Sequence, residues 1–433
     1  MSIPLSGKAG QSAAATTQNY GPAMAVISSI FFMWGFVTVL NDILVPHLKA
    51  IFELNYTQTM LIQFTFFLAY FLISMPAAKI IAWIGYHRTI VLGLAVMACG
   101  ALVFIPAASV PSYGLFLTGL FVLASGMTLL QVSANPYVAV LGPPEHSSVR
   151  LNLVQALNSL GTTIGPWVGG FLILSATTRS AAELSAMGAD QLQAHRLLEA
   201  STVKLPYLAI AGLLALLATG IAMFKFPRLA AIEDPEHHAE VAGDSVWRHR
   251  HLVLGALGIF VYVGAEVAIG SFLVNYFMQG DIAGLTAQEA ARYVSFYWGG
   301  AMVGRFIGSA VLRKVPTGTL VGIHAIVACA LVVTSILTTG SVAMWSILAV
   351  GLCNSIMFPS IFTLGIAGLG RLTGKGSGLI IAAIVGGAII PLVEGALADR
   401  IGLHTAFVLP AICYVYIMYY GFVGSKPRIA IAA

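Results

Sequence analysis

Apolar residues in this chain do not alternate with polar ones at the period of a strand, nor do they trace one stripe of an amphipathic helix. They come in long runs separated by short polar connections. The runs fall at 24–46, 57–84, 88–107, 112–141, 148–175, 204–226, 250–278, 288–312, 318–338, 341–369, 375–397 and 402–423. A helix needs about 20 predominantly apolar residues to cross the hydrocarbon core of a bilayer. The pattern therefore predicts an all-α membrane protein with twelve transmembrane helices. Two connections are longer than the rest, at 176–203 and 227–249, and the second is the most charged stretch of the chain and lies almost midway. That divides the chain into a disordered cytoplasmic tail (1–23), a six-helix bundle (24–226), a cytoplasmic linker (227–249) and a second six-helix bundle with a short tail (250–433). The first 23 residues are small and polar, without the apolar core and cleavage site of a signal peptide, so the first helix is expected to be retained.

Composition agrees with the pattern. Of 433 residues, 58% are hydrophobic and 9% charged, which excludes a soluble globular protein. Lys and Arg outnumber Asp and Glu by 21 to 16, yet the basic residues sit in short connections rather than on one face, so the excess bears on topology and not on nucleic acid. With the N-terminus inside, fifteen basic residues fall on the inner side and six on the outer, which predicts that both termini are cytoplasmic. The four cysteines show no CxxC spacing and the histidines no HExxH spacing, so no metal or cofactor is expected.

The two halves share landmarks. Gly161, Pro166 and Gly170 in the fifth run recur as Gly386, Pro391 and Gly395 in the eleventh, each 225 residues later. Arg88 and Arg313 stand at the same offset, and Asp42 with Glu266 and Pro136 with Pro359 at 224 and 223. Shared kink residues are one explanation. A duplicated six-helix unit, with a site between the halves near the midplane, is the other.

A carboxyl group inside a membrane helix costs several kcal/mol by most scales and is a functional candidate by default. Three acids lie within apolar runs: Asp42, Glu266 and Glu394. Asp42, near the outer end of the first helix, reads as a proton carrier, a substrate ligand or a helix-end structural acid. Glu266, mid-way along the seventh, reads as a ligand or coupling group, or as a buried neutral packing residue. Glu394 lies close to Asp399 and Arg400 and is expected in a structural ion pair. Amides form a second group. Gln131 and Asn135 are four apart, and Asn152, Gln155 and Asn158 are successively three apart, so each set shares one helix face. Amides donate and accept without charge, which suits a ligand covered in hydroxyls, although they also tie membrane helices together. Gln63, Asn275 and Asn354 repeat the signal singly. Trp34, Tyr262, Tyr297 and Trp298 are the aromatic candidates beside them.

On these residues the chain resembles the fucose, galactose and glucose permeases, the L-fucose:proton symporter family of the major facilitator superfamily. The likeness is densest in LNDILVP (40–46), SANPYVAVLG (133–142), RLNLVQALNSLG (150–161), YVGAEVAIGSFLVNY (262–276) and GRFIGS (304–309). The resemblance implies a protonation and substrate role for Asp42 and a place for Asn158 along the sugar site. Where the fucose symporter has a glutamate before the ANP segment this chain has Gln131, as glucose/galactose-type members have. That weakens fucose as substrate and leaves Asp42 and Glu266 for coupling. The loop after the second helix reads AWIGYHR, without the acid of the usual Asp-Arg-x-Gly pattern, so Arg88 with Gly304 and Arg305 is assigned to the cytoplasmic gate.

The expectation is a bacterial inner-membrane transporter, monomeric and embedded in the lipid bilayer. It would take up a neutral hexose by alternating access with a proton as coupling ion. Sugar would bind Gln131, Asn135, Gln155, Asn158, Tyr262, Glu266 and Asn354, with Gln63 and Asn275 nearby. Sodium-coupled or uncoupled sugar transport remains open, as does export of drugs or metabolites by proton antiport, although the amides count against an aromatic- and Met-dominated drug cavity. No nucleophile with a base and no soluble domain supports an enzyme or a receptor.

Overall fold

A computed structural model describes residues 20–52, 56–109, 112–173, 187–188, 191, 204–227 and 245–427, with side chains at all of these but 39–52, 56–60, 166–173 and 287. The described chain is helical: α1 (Gly21–Phe52), α2 (Tyr56–Ser109), α3 (Tyr113–Val140), α4 (Ser147–Ile173), α5 (Lys204–Met223), α6 (Arg250–Met278), α7 (Ala287–Val311), α8 (Thr317–Leu337), α9 (Gly340–Asn354), α10 (Met357–Ile366), α11 (Thr373–Ala382), α12 (Gly386–Ile401), α13 (Leu403–Ala406) and α14 (Val408–Tyr419). Among the described residues nine helical stretches are long and apolar enough to cross a membrane. Most of the outer connection at 176–203 and of the linker at 227–249 lies outside the described residues.

Breaks in the helices follow the backbone chemistry of the sequence. The runs at 57–84 and 88–107 form one continuous stretch in α2 that turns at Gly85, whose φ of 79° is a conformation that favours glycine. The run at 341–369 is split between α9 and α10, because Pro359 has no N–H to give to the carbonyl of Ser355. Pro136 likewise leaves the carbonyl of Val132 free within α3. At the N-terminus, α1 begins at Gly21 with Pro22 in its first turn, and Ala23 is buried. The expected tail over 1–23 is therefore three residues too long, since proline is well placed in a first turn.

Helices before residue 227 pack mainly on one another, as do those after 245. In the first set α1 crosses α4, where a Cβ at Gly161 would overlap the Phe32 carbonyl and one at Gly35 the Asn158 carbonyl. In the second set α6 crosses α12 the same way, with Gly386 against the Phe260 carbonyl and Gly264 against Ile390.

The two sets meet through α4 against α7 and α10, and through α11 against α2 and α3. Ser377 donates to the Val132 carbonyl at 2.9 Å, the Ser148 and Thr363 hydroxyls lie 2.6 Å apart, Thr317 donates to Ser148 at 3.0 Å, and Asn152 donates to the Ser360 hydroxyl at 3.3 Å. All four bonds lie toward the end that carries the excess of Lys and Arg, called here the inner end. Farther out the sets touch at mid-helix, where Thr163 lies 3.3 Å from the Met302 sulfur. Among the described residues no hydrogen bond joins the sets beyond that level.

Because the Gly161 and Gly386 crossings leave no space for a side chain, G161V and G386V are each expected to lose about 1–3 kcal/mol or more through overpacking. Gly212 has no atom within 4 Å of a built Cβ, so G212A is expected to be neutral or stabilising by up to about 1 kcal/mol. Thermal unfolding midpoints in detergent check both; equal midpoints for G386V and G212A would contradict the packing argument.

Candidate functional site

Two polar clusters face the middle of the fold, one in each set of helices. In the second set Tyr262 and Glu266 are four residues apart on one face of α6. The Tyr262 hydroxyl lies 2.8 Å from Glu266 Oε1 and 3.0 Å from the backbone carbonyl of Asn354, the last residue of α9. The Asn354 amide extends the network in both directions: its Nδ2 donates to the Tyr297 hydroxyl at 2.8 Å, and its Oδ1 accepts from the Tyr414 hydroxyl at 2.8 Å. Tyr297 in turn donates to the Glu266 backbone carbonyl at 3.2 Å. Asn354 and the three tyrosines are fully buried, whereas Glu266 is half-buried. Buried polar groups at this depth require partners, and here a break in one helix, an amide and three hydroxyls supply them to each other.

In the first set Gln131 Nε2 donates to the Tyr70 hydroxyl at 2.9 Å, with Trp34 beside it. Asn158 Nδ2 donates to the Phe31 carbonyl at 2.8 Å, which ties α4 to α1. Asn152 Nδ2 donates to the Ser148 carbonyl at 2.8 Å as well as to Ser360, so this amide binds the two sets to each other. Gln131 Oε1, both amide atoms of Asn135, Asn152 Oδ1 and Gln155 Nε2 are buried without a hydrogen-bond partner. Such atoms are costly to bury unpaired. They are uncharged donors and acceptors on consecutive helices, the chemistry that meets hydroxyl groups.

Arg305 stands between the clusters. It lies within α7, six residues before the helix ends, and is half-buried. Its Nε donates to the Ser355 carbonyl at 3.1 Å and its Nη1 to the Ser159 hydroxyl on α4. Gly304 beside it lies against Leu352 and Ser355, where a Cβ would not fit. Arg88, the third residue assigned to a gate, is exposed just after the Gly85 turn. Near that turn a cavity of about 340 Å³ opens between α2 and α11, lined by Tyr86, Arg371 and Lys375 among others and distant in the fold from the amides.

Several sequence-level candidates lie elsewhere. Asp42 is in α1, but its side chain is outside the described residues. Gln63 and Asn275 are exposed, as is Trp298, whose ring packs on Gly270. Glu394 corrects an expectation: it is fully buried, neither carboxyl oxygen has a hydrogen-bond partner, and no ion pair with Arg400 is made. Residues five and six positions on point away from its helix face, and Arg400 is exposed. The pattern missed Tyr70, Ser159 and Tyr414. Ser159 adjoins the NS pair that drew attention to Asn158, but nothing in the local sequence marks Tyr414. No group of three or more His, Cys, Asp or Glu that could hold a metal occurs among the described residues.

A family model described as Major Facilitator Superfamily matches residues 25–390. The chain is 54% identical over 409 residues to a glucose/galactose transporter of Brucella abortus, covering 94% of this chain and 95% of that one. It is 36% identical over 416 residues to the L-fucose-proton symporter of Escherichia coli, covering 93% of each. Among solved structures, that of the transporter FucP in the outward conformation superposes with a TM-score of 0.86 at 35% identity, covering 94% of this chain and 99% of that one. A proton:xylose symporter at 13% identity shares the fold, with a TM-score of 0.71.

The Asn354 network predicts a graded loss of stability. N354A removes two side-chain bonds from buried hydroxyls and Y414F removes one, at about 1–3 kcal/mol for each group left unsatisfied. The unfolding midpoint in detergent is expected to fall about twice as far for N354A as for Y414F; equal falls would mean the amide does not hold both tyrosines.

Proposed function

The chain belongs to the Major Facilitator Superfamily, and from that premise we propose that it is a sugar uptake transporter that moves a neutral hexose of the glucose/galactose type together with a proton. Twelve crossings in two related six-helix halves, 24–226 and 250–433 joined by the linker 227–249, form the working unit. The count is supported by α2, which is long enough for two crossings and turns back at Gly85, and by α4 and α7. These two are 27 and 25 residues long, and their amides and charges lower their apolarity without shortening them. The relation between halves is supported by the crossings at Gly161 and Gly386, which stand 225 residues apart and each press on a backbone carbonyl of a neighbouring helix.

The observation that carries the substrate reading is the set of buried, uncharged, unpartnered amide atoms on Gln131, Asn135 and Gln155. A hexose offers hydroxyls to each and an apolar CH face to an aromatic such as Trp34. Asn158, Tyr262, Glu266 and Asn354 complete the binding surface, with Gln63 and Asn275 toward its outer rim. Asp42 and Glu266 carry the coupling proton. The hydrogen bonds between the sets lie at the inner end and at mid-helix, so the chain as described is closed to the cytoplasm. Sugar enters from outside, the halves rock about the site, and Arg88, Gly304 and Arg305 govern the inner closure.

Intact cells in lightly buffered medium test the reading directly. Adding glucose or galactose is expected to make the medium more alkaline as protons enter with sugar. Labelled glucose entering without any change in pH would overturn proton coupling. D42N is expected to abolish sugar-driven proton uptake and uphill accumulation while sugar-for-sugar exchange persists; accumulation against a gradient in D42N would remove Asp42 from the carrier role.

A further inference from the structure

Tyr262 has one hydroxyl hydrogen and two acceptors within reach, Glu266 Oε1 at 2.8 Å and the Asn354 carbonyl at 3.0 Å. Each contact becomes a full, unshared hydrogen bond when Glu266 carries its own proton. The acid then donates to the Tyr262 oxygen, and Tyr262 donates to the Asn354 carbonyl. If Glu266 is ionised, the Tyr262 hydrogen turns to the carboxylate and the Asn354 carbonyl loses it. The geometry described here fits the neutral acid.

Arg305 behaves consistently with that state. Its guanidinium is near enough to Glu266 for charge attraction, yet no ion pair joins them, and its N–H groups go to neutral oxygens on either side of the junction between the helix sets. One is the Ser355 carbonyl, which Pro359 leaves without its helical donor. The other is the Ser159 hydroxyl on α4, which is buried and donates to the Gln155 carbonyl at 3.1 Å. We propose that Arg305 is the positioning residue that converts the charge of Glu266 into contact between the two halves: it holds Ser159 while Glu266 is protonated and turns to Glu266 when the proton leaves. This inference rests on the proton-coupled reading above. The physical basis is that a guanidinium paired with a carboxylate gains charge attraction that a bond to a neutral oxygen lacks, and that this attraction is stronger in partly buried surroundings than in water. Losing the proton therefore releases α4 from α7.

Other groups around Glu266 are uncharged or turned elsewhere. Tyr262 faces it from α6, Tyr297 from α7, Asn354 from α9 and Tyr414 from α14. On α12, Glu394 lies beside Cys413 instead. On α13, His404 faces Asp281 and Tyr276 at the outer end. The segment α10 has no charged residue, and the one charge of α11, Lys375, is exposed at the inner end. Arg305 is thus the cation placed to answer Glu266 among the described residues.

The test compares wild type with S159A, R305K and E266Q in cells at matched protein levels, by protons taken up per sugar, the pH dependence of labelled-glucose accumulation, and sugar-for-sugar exchange. S159A is expected to exchange sugar like wild type, which certifies folding, while its accumulation ratio falls about fivefold or more, the low end of an allosteric coupling. Its pH dependence should flatten. R305K, a point charge without the planar fork, is expected to lower the accumulation ratio and flatten the pH dependence as S159A does. In E266Q the pH dependence should be lost, and adding S159A should cost nothing further, because the two substitutions break one linkage. Wild-type ratios and pH profiles in S159A and R305K, with exchange intact, would overturn the role of Arg305 alone. Sugar entry into wild type without proton movement would overturn the parent reading as well.

Discussion

A proline inside a membrane helix leaves one carbonyl without its donor, and in a bilayer no water is at hand to replace it. Two such carbonyls, Val132 ahead of Pro136 and Ser355 ahead of Pro359, set where the two halves of this fold touch. Ser377 reaches Val132 from the other half, and Arg305 reaches Ser355 while its other N–H extends to Ser159. Each freed carbonyl thus turns a local backbone defect into a fixed point at the junction. The prolines stand 223 residues apart.

Contacts inside a half are more extensive than contacts between halves. Within each half, glycines let backbones approach so closely that no side chain fits, as Gly161 does at Phe32 and Gly386 at Phe260. Packing of that sort has one arrangement and resists sliding. Between halves the ties include hydroxyl pairs such as Ser148 with Thr363, each worth about 0.5–1.5 kcal/mol net, beside a close approach of Gly378 on α11 to the Ser74 carbonyl on α2. Bundles that are stiff internally and lightly joined move as rigid bodies, which is the motion that alternating access requires.

Much of this was legible from residue pattern. The hydrophobic runs located nearly every helix, because crossing length in a bilayer is set by thickness and not by tertiary context. Glycine and proline offsets pointed to the equivalent crossings, since close backbone approach demands the same residue wherever it recurs. Side-chain roles were less legible. Asn152 and Asn158 share a spacing with Gln155, yet their N–H groups are spent on helix contacts while Gln155 Nε2 is unpartnered. Spacing fixes a face of a helix, not what stands opposite it. Glu394 misled for the same reason: its neighbours in sequence lie on another face, and its true surroundings come from α14. Tyr70 and Tyr414 earn their places through partners 61 and 60 residues away, which no local pattern encodes.

The exchange of an acid for Gln131 on α3 has a physical consequence for coupling. An amide at this position donates to Tyr70 through Nε2, a bond that a carboxylate could not make, and it leaves Oε1 as a neutral acceptor. The first half then presents no carboxyl group from α3. Among the side chains described near the amides, the acid is Glu266 on α6, and the cation that answers it belongs to α7 and reaches across to α4. On the reading proposed above, Glu266 is joined to the amide side by the short path through Arg305 to Ser159 and the Gln155 carbonyl.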